Sequence, residues 1–190
     1  AKGPTHVRKL VSAVEAGDLE LPEISRPLLS ILVDTLEALN TRIRLLEAQI
    51  AQRAREDEIC QRLTTIPGIG PIIATAIAAL APPPSTFRRG RDFAAWVGLT
   101  PLQHSTGGKQ RLGRTSKMGN RALRRLLIIG ASAVVRWAEH KGAAPGSWLA
   151  RMLERKPPML VRVALANKMA RIAWALMAHG GEYRAQTVTR

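Results

Sequence analysis

Residues 63–80 read Leu63-Thr-Thr-Ile-Pro-Gly-Ile-Gly-Pro-Ile-Ile-Ala-Thr-Ala-Ile-Ala-Ala-Leu80, and their punctuation decides the fold. Pro67-Gly68 stops one helix, since proline carries no amide donor and glycine accepts the turn that follows. Pro71 can open the next helix at its first position, where no donor is lost. Between them Ile69 is an apolar plug flanked by Gly68 and Gly70. The stretch therefore predicts a helix-hairpin-helix. Without Cβ atoms, Gly68 and Gly70 let the backbone come close to a phosphate, and the amides opening the second helix point at the anion. A tight helix-helix turn with small residues for packing is the alternative.

Upstream, apolar residues fall at Leu29, Leu32, Leu36, Leu39, Ile43, Leu46 and Ile50, alternating three and four apart. That is a heptad seam, and it predicts a coiled coil. No Pro or Gly interrupts Leu28 to Ile66, which allows one helix of about 38 residues. The seam suits association between copies of the chain, with antiparallel pairing inside one chain as the alternative. Residues 1–23 show weak periodicity and two turn signals, Gly3-Pro4 and Gly17-Asp18, and read as a short helix and loop.

Downstream, Ala81-Pro-Pro-Pro-Ser85 is a stiff linker. A short segment through Arg88, Arg89, Arg91 and Phe93-Ala-Ala-Trp96 ends at Gly98. A loop from Leu99 to Asn120 follows, with Gly107, Gly108, Gly113 and Gly119, five hydroxyls and four Lys and Arg residues. Further helices are expected over Arg121–Glu139, after Ser147, and over Leu160–Ala178. On the first of these Leu123, Leu126, Leu127, Gly130, Ala131, Val134 and Ala138 form the expected buried face. No segment alternates convincingly with period two. The expected fold is all-α: an N-terminal helix, loop and coiled-coil arm over residues 1–62, then the helix-hairpin-helix and a compact helical domain over 63–190.

The 190 residues carry 29 Lys and Arg against 14 Asp and Glu, a formal charge of +15. Residues 1–60 hold 8 basic and 10 acidic side chains, net −2, which leaves 21 and 4, net +17, for residues 61–190. Between Asp92 and Glu139 there is no carboxylate, yet Lys109, Arg111, Arg114, Lys117, Arg121, Arg124, Arg125 and Arg136 all lie there. A helix face serving only solubility would mix signs, so the surplus points to a polyanion, with nucleic acid first. No apolar run is long enough for a membrane span and none reads as a signal peptide, so no membrane partner is expected. Cys60 stands alone, which excludes an intramolecular disulfide and a multi-cysteine zinc site.

Carboxylates are too scattered for a two-metal nuclease site, and His6, His104, His140 and His179 lack ligand spacing. Trp96, Trp137, Trp148 and Trp174 fall on helical patterns and read as core. His104-Ser105-Thr106-Gly107-Gly108-Lys109 is the one arrangement resembling a nucleophile. A serine attacking a phosphodiester needs an exposed hydroxyl, backbone freedom and cations against the developing charge. On the residues alone, a serine in a basic glycine-rich loop is equally a phosphate hydrogen-bonder.

Four motifs in order then carry a resemblance: Leu63-Thr-Thr-Ile-Pro-Gly-Ile-Gly, Phe93-Ala-Ala-Trp-Val-Gly-Leu-Thr-Pro, His104-Ser-Thr-Gly-Gly-Lys, and Ser116-Lys-Met-Gly-Asn-Arg-Ala-Leu-Arg-Arg. Together they resemble the C-terminal half of insertion-sequence transposases of the IS 110 / IS 1111 family, over roughly residues 60–185. The resemblance implies a preceding RuvC-like domain whose DEDD carboxylates bind magnesium, joined through a coiled coil to a C-terminal transposase domain. It implies recombination guided by a bridge RNA, with a serine joined covalently to cleaved DNA in an active site shared between subunits. That nucleophile falls on Ser105, or on Thr106 if the motif is aligned without a gap.

The implied nucleic-acid contacts are Gly68, Gly70, Arg88, Arg89, Arg91, Lys109, Arg111, Arg114, Lys117, Arg121, Arg124 and Arg125. Expected partners are DNA, a guide RNA and further copies of the chain, in the bacterial cytoplasm and at the nucleoid during transposition. No RuvC-like region or DEDD set is present, so the chain is expected to be part of a longer protein, with no cofactor of its own and magnesium only alongside the missing domain. A non-catalytic helix-hairpin-helix binding module is the competing expectation, and a coiled-coil assembly protein with incidental charge a third.

Overall fold

The computed structural model describes residues 4–17, 22, 24–104, 108 and 111–184. Contacts divide the chain into two units, residues 1–49 and 50–190. The first holds α1 (Pro4–Glu15) and most of α2 (Ser25–Glu56). Its heptad seam is open in the single chain: Leu32, Leu39, Ile43 and Leu46 are all exposed.

The expected uninterrupted helix stops at Glu56, and α3 (Glu58–Thr64) starts afresh. Asp57 causes the break. Its backbone is extended and its carboxylate accepts a hydrogen bond from the Cys60 amide at 2.8 Å, the geometry of an N-cap. A side chain able to satisfy an orphan amide favours ending one helix and starting another over continuing through.

In the second unit, Pro71 opens α4 (Pro71–Leu80) at its first position. A 3-10 turn, Pro84–Thr86, leads to α5 (Gly90–Val97), which closes on Gly98 in the left-handed region at φ +81°. Two strands follow, β1 (Pro101–Gln103) and β2 (Leu112–Thr115), paired antiparallel with Pro101 opposite Thr115 and Gln103 opposite Leu112. They are an addition to the all-helical expectation, too short and too irregular in register to show as alternation. Asn120 caps α6 (Arg121–Lys141) through the Leu123 amide, and Ser147 caps α7 (Trp148–Arg155) through that of Ala150. Pro158 starts α8 (Pro158–His179). The fold is all-α apart from the strand pair.

Helix α8 is the centre of this unit, packing on α3, α5, α6 and α7. Ala166, Ala170 and Ala173 are fully buried along it, and their small size lets neighbours come close. A Cβ on Gly90 of α5 would lie 2.9 Å from the Arg171 carbonyl oxygen. Around α8 the core gathers Leu63, Ile66, Ile77, Phe93, Val97, Leu123, Leu127 and Met169, each removed from water and contributing about 2 kcal/mol. On α6 the buried face is Leu123, Leu127, Gly130, Ala131, Val135 and Ala138, while Leu126 and Val134 are only half-buried. Of the tryptophans, Trp96 and Trp174 are half-buried and pack against the core as expected, Trp148 is half-buried outside that cluster, and Trp137, 64% exposed, departs from the core expectation.

Candidate nucleic-acid interface

The turn between α3 and α4 separates the roles of its two glycines. Gly68 has φ +89°, and a Cβ there would lie 2.8 Å from the Gly130 carbonyl oxygen and 2.8 Å from Val134 Cγ2. In return, a Cβ on Gly130 would lie 2.1 Å from the Gly68 carbonyl oxygen. Gly68 is thus a packing residue that seats the turn on α6. Gly70 has open space where a Cβ would stand. Its carbonyl accepts from the Ile73 and Ala74 amides at 3.0 and 2.9 Å, and the Ile72 amide beside them has no partner among the described residues. An orphan amide next to an uncrowded glycine at a helix start is suited to an anion.

The basic segment is organised by backbone. Gly119, at φ +122°, packs where a Cβ would stand 1.9 Å from the Trp96 carbonyl oxygen. The Ser116 amide donates to the Thr100 carbonyl at 2.8 Å, extending the ladder of the strand pair. At its other end the His104 amide donates to Arg111 at 2.8 Å, and the His104 ring lies on Gly113, where a Cβ would be 2.6 Å from it. Residues 104–111 therefore bridge β1 and β2. Ser105, Thr106 and Lys109 lie outside the described residues.

Among the basic candidates, Arg88, Arg91, Arg111, Arg114, Lys117, Arg121 and Arg125 are exposed. Arg89 is also exposed and pairs with Asp92 at 3.4 Å. Arg124 is committed inside the fold: its guanidinium donates to the Val97 carbonyl at 2.9 Å, holding the end of α5.

Arg89, Arg91 and Arg114 converge on one cleft, and two cations that the sequence reading did not single out, Lys168 and Arg171 of α8, line it with them. The cleft has a volume of about 1140 Å³, and among the described residues no carboxylate lines it. The Lys168 ammonium sits 4.7 Å from the centre of the Trp148 ring, a cation–π contact. Burial, and then the nearby Arg151 and Arg171, hold Lys168 below the usual lysine range. The i,i+3 spacing of Lys168 and Arg171 was the available signal, masked by the apolar run around it.

Comparison with known proteins agrees with the resemblance. A family model, Transposase IS116/IS110/IS902 family, matches residues 60–144, the span from α3 through α6. The chain is 52% identical over 164 residues to a "Probable family 20 transposase" of Pseudomonas aeruginosa, covering 86% of the chain and 48% of that protein. It is 36% identical over 179 residues to the transposase for insertion sequence element IS1328 of Yersinia enterocolitica, covering 94% and 53% respectively. Against the transposase for IS1111A of Coxiella burnetii identity is 41% over 138 residues, 73% of the chain and 38% of that protein. The chain spans about half the length of the curated relatives it matches. With the motif-bearing helices, the strand pair and the basic face all inside or beside the matched span, the chain belongs to the IS116/IS110/IS902 family of transposases.

Proposed function

We propose that this chain is the C-terminal part of a DNA transposase: it binds DNA and a guide RNA and supplies a hydroxyl, from Ser105 or Thr106, that attacks a DNA phosphodiester. The observation that carries this reading is the bridge between β1 and β2. Its ends are fixed by backbone hydrogen bonds, and it lies in a stretch of chain with no carboxylate between Asp92 and Glu139. A phosphate drawn there meets cations without a competing acid. The attacking oxygen forms one P–O ester bond as another breaks, and the departing DNA hydroxyl takes up a proton. Ester bonds are conserved in number, so the strand can be rejoined by the reverse step without an energy source.

The turn at Gly70 is a second phosphate contact, and the exposed seam of α2 joins copies of the chain. Among the described residues no group of three or more His, Cys, Asp and Glu side chains is placed to hold a metal ion. Magnesium, if the whole protein uses it, is held by carboxylates of another segment.

The test reunites the chain with a RuvC-like half and guide RNA and looks for a covalent protein–DNA adduct. Loss of the adduct in Ser105→Ala or in Thr106→Ala identifies the nucleophile. An adduct that survives both substitutions refutes it, and binding with no adduct under any condition leaves the non-catalytic module.

A further inference from the structure

The cleft on α8 is a site that none of the motifs assigns. We propose that it binds a short single-stranded segment of nucleic acid, its phosphates on Arg89, Arg91, Arg114, Lys168 and Arg171 and its bases against the indoles of Trp148 and Trp174. This rests on the nucleic-acid reading above and adds to it a place and a strand state.

Charge comes first. Among the described residues five cations and no carboxylate line the wall, and Asp92, the nearest acid in the sequence, is held at an exposed pair with Arg89. Exposed pairs of this kind are weak, so Arg89 stays available to a phosphate. Lys168 is not a free surface lysine: the Trp148 ring fixes its ammonium in the cleft, beside Arg151 and Arg171. An ammonium set among guanidiniums and partly withdrawn from water is stabilised by an incoming anion. Burial of Lys168 and repulsion from its neighbours are both offset when a phosphate enters.

The walls distinguish a single strand from a duplex. A duplex offers its outer phosphates while its bases are sealed in the stack, whereas a single strand offers phosphates and base faces together. Half-buried indoles among cations match the second. At about 1140 Å³ and open to solvent, the cleft exceeds the usual range for a small-molecule pocket and suits a stretch of polymer. Its walls are also preformed. The Asn167 amide donates to the Leu99 carbonyl at 3.2 Å, the Trp174 indole N–H to the Pro84 carbonyl at 3.0 Å, and Gly90 rests on the Arg171 backbone. Three different segments are thus tied to α8, and little ordering is left for the ligand to impose. Finally, Pro101, Gly113, Arg114 and Thr115 of the strand pair form one side, so a strand in the cleft runs past the base of the 104–111 bridge.

The experiment measures fluorescence anisotropy of the full chain with oligothymidylate and oligouridylate of about twelve nucleotides, an abasic DNA strand of equal length, and a duplex. The wild type should bind oligothymidylate or oligouridylate at least about fivefold more tightly than the abasic strand. The tighter of the two names the source, DNA or RNA. Lys168→Gln combined with Arg171→Gln should weaken single-strand binding about tenfold or more and duplex binding less than about threefold. The slope of log affinity against log salt should shrink by about 1.4, as for two lost phosphate contacts. Arg114→Gln, at an exposed strand position, should lose single-strand affinity in the same direction and carries the test if the double variant melts early.

Equal losses on single strand and duplex, equal affinity for the abasic strand, or displacement of the strand by polyglutamate at matched charge would each overturn the assignment. If the wild type binds neither single strand nor duplex, the broader nucleic-acid reading fails with it. Tight binding indifferent to Lys168 and Arg171 removes only the cleft.

Discussion

Gly68 and Gly130 touch backbone to backbone, and that contact decides what a mutation at either reports. Gly130→Ala forces a Cβ to 2.1 Å from the Gly68 carbonyl oxygen, so it should destabilise the chain by about 1–3 kcal/mol, read as a lowered urea midpoint. Gly70→Ala meets nothing and has an ordinary φ of −93°, so its melting should shift by less than about 1 kcal/mol. Nucleic-acid affinity should nonetheless fall if the Ile72 amide receives a phosphate; an unchanged affinity would leave the turn a packing device.

Cys60 is a second residue whose surroundings predict a measurement. Burial first, then the Asp57 carboxylate, push its thiol up to about 11 from 9.0. A thiol that ionises later in the folded chain than in the unfolded one makes the folded state hold the extra proton between those values. Stability should therefore decline as pH rises from about 9 to about 11, with no contribution from this group below that window. Cys60→Ala should flatten that part of the urea-midpoint profile, and the native thiol should alkylate slowly at pH 8.

At the scale of elements, the boundaries that could be read from the sequence are those with a local chemical cause. Pro71, Gly98, Asn120 and Ser147 each stop or start a helix through its own backbone or side chain. Asn120→Ala removes the acceptor of the Leu123 amide and should cost about 1 kcal/mol in chemical denaturation. Asp57 has the same chemistry, but with no Pro or Gly beside it the apolar periodicity on both sides concealed the break. The strand pair was hidden for a different reason: it is held by its ends, at Thr100–Ser116 and His104–Arg111, and not by alternating burial. The seam of α2 was visible as a period, yet period alone names no partner. Its exposed leucines predict that Leu39→Asp lowers the sedimentation coefficient if copies associate through it; identical sedimentation of variant and parent would assign the seam another role.

Over the whole molecule, the split between net −2 and net +17 could be counted from the sequence, and the cleft that uses part of that surplus could not. Arg89 and Arg91, Arg114, Trp148, and Lys168 with Arg171 come from the cap and first turn of α5 and from β2, α7 and α8, and meet only when those elements pack. The converse also holds: Arg124 reads as a phosphate contact until the fold directs it to Val97.

The central place of α8 bears finally on the order of events during synthesis. Its ties reach far back along the chain, from Asn167 to Leu99 and from Trp174 to Pro84, separations of 68 and 90 residues. Helices α5 and α6 leave the ribosome before α8, the helix they pack on most, exists, whereas α3 already has α4 beside it. Each can coil within microseconds, but the apolar faces of α5 and α6 that meet α8 stay wet until it arrives. The nascent chain therefore carries exposed apolar faces through most of its translation, when it is most open to chaperone capture and aggregation. Maturation is timed by the emergence of one helix.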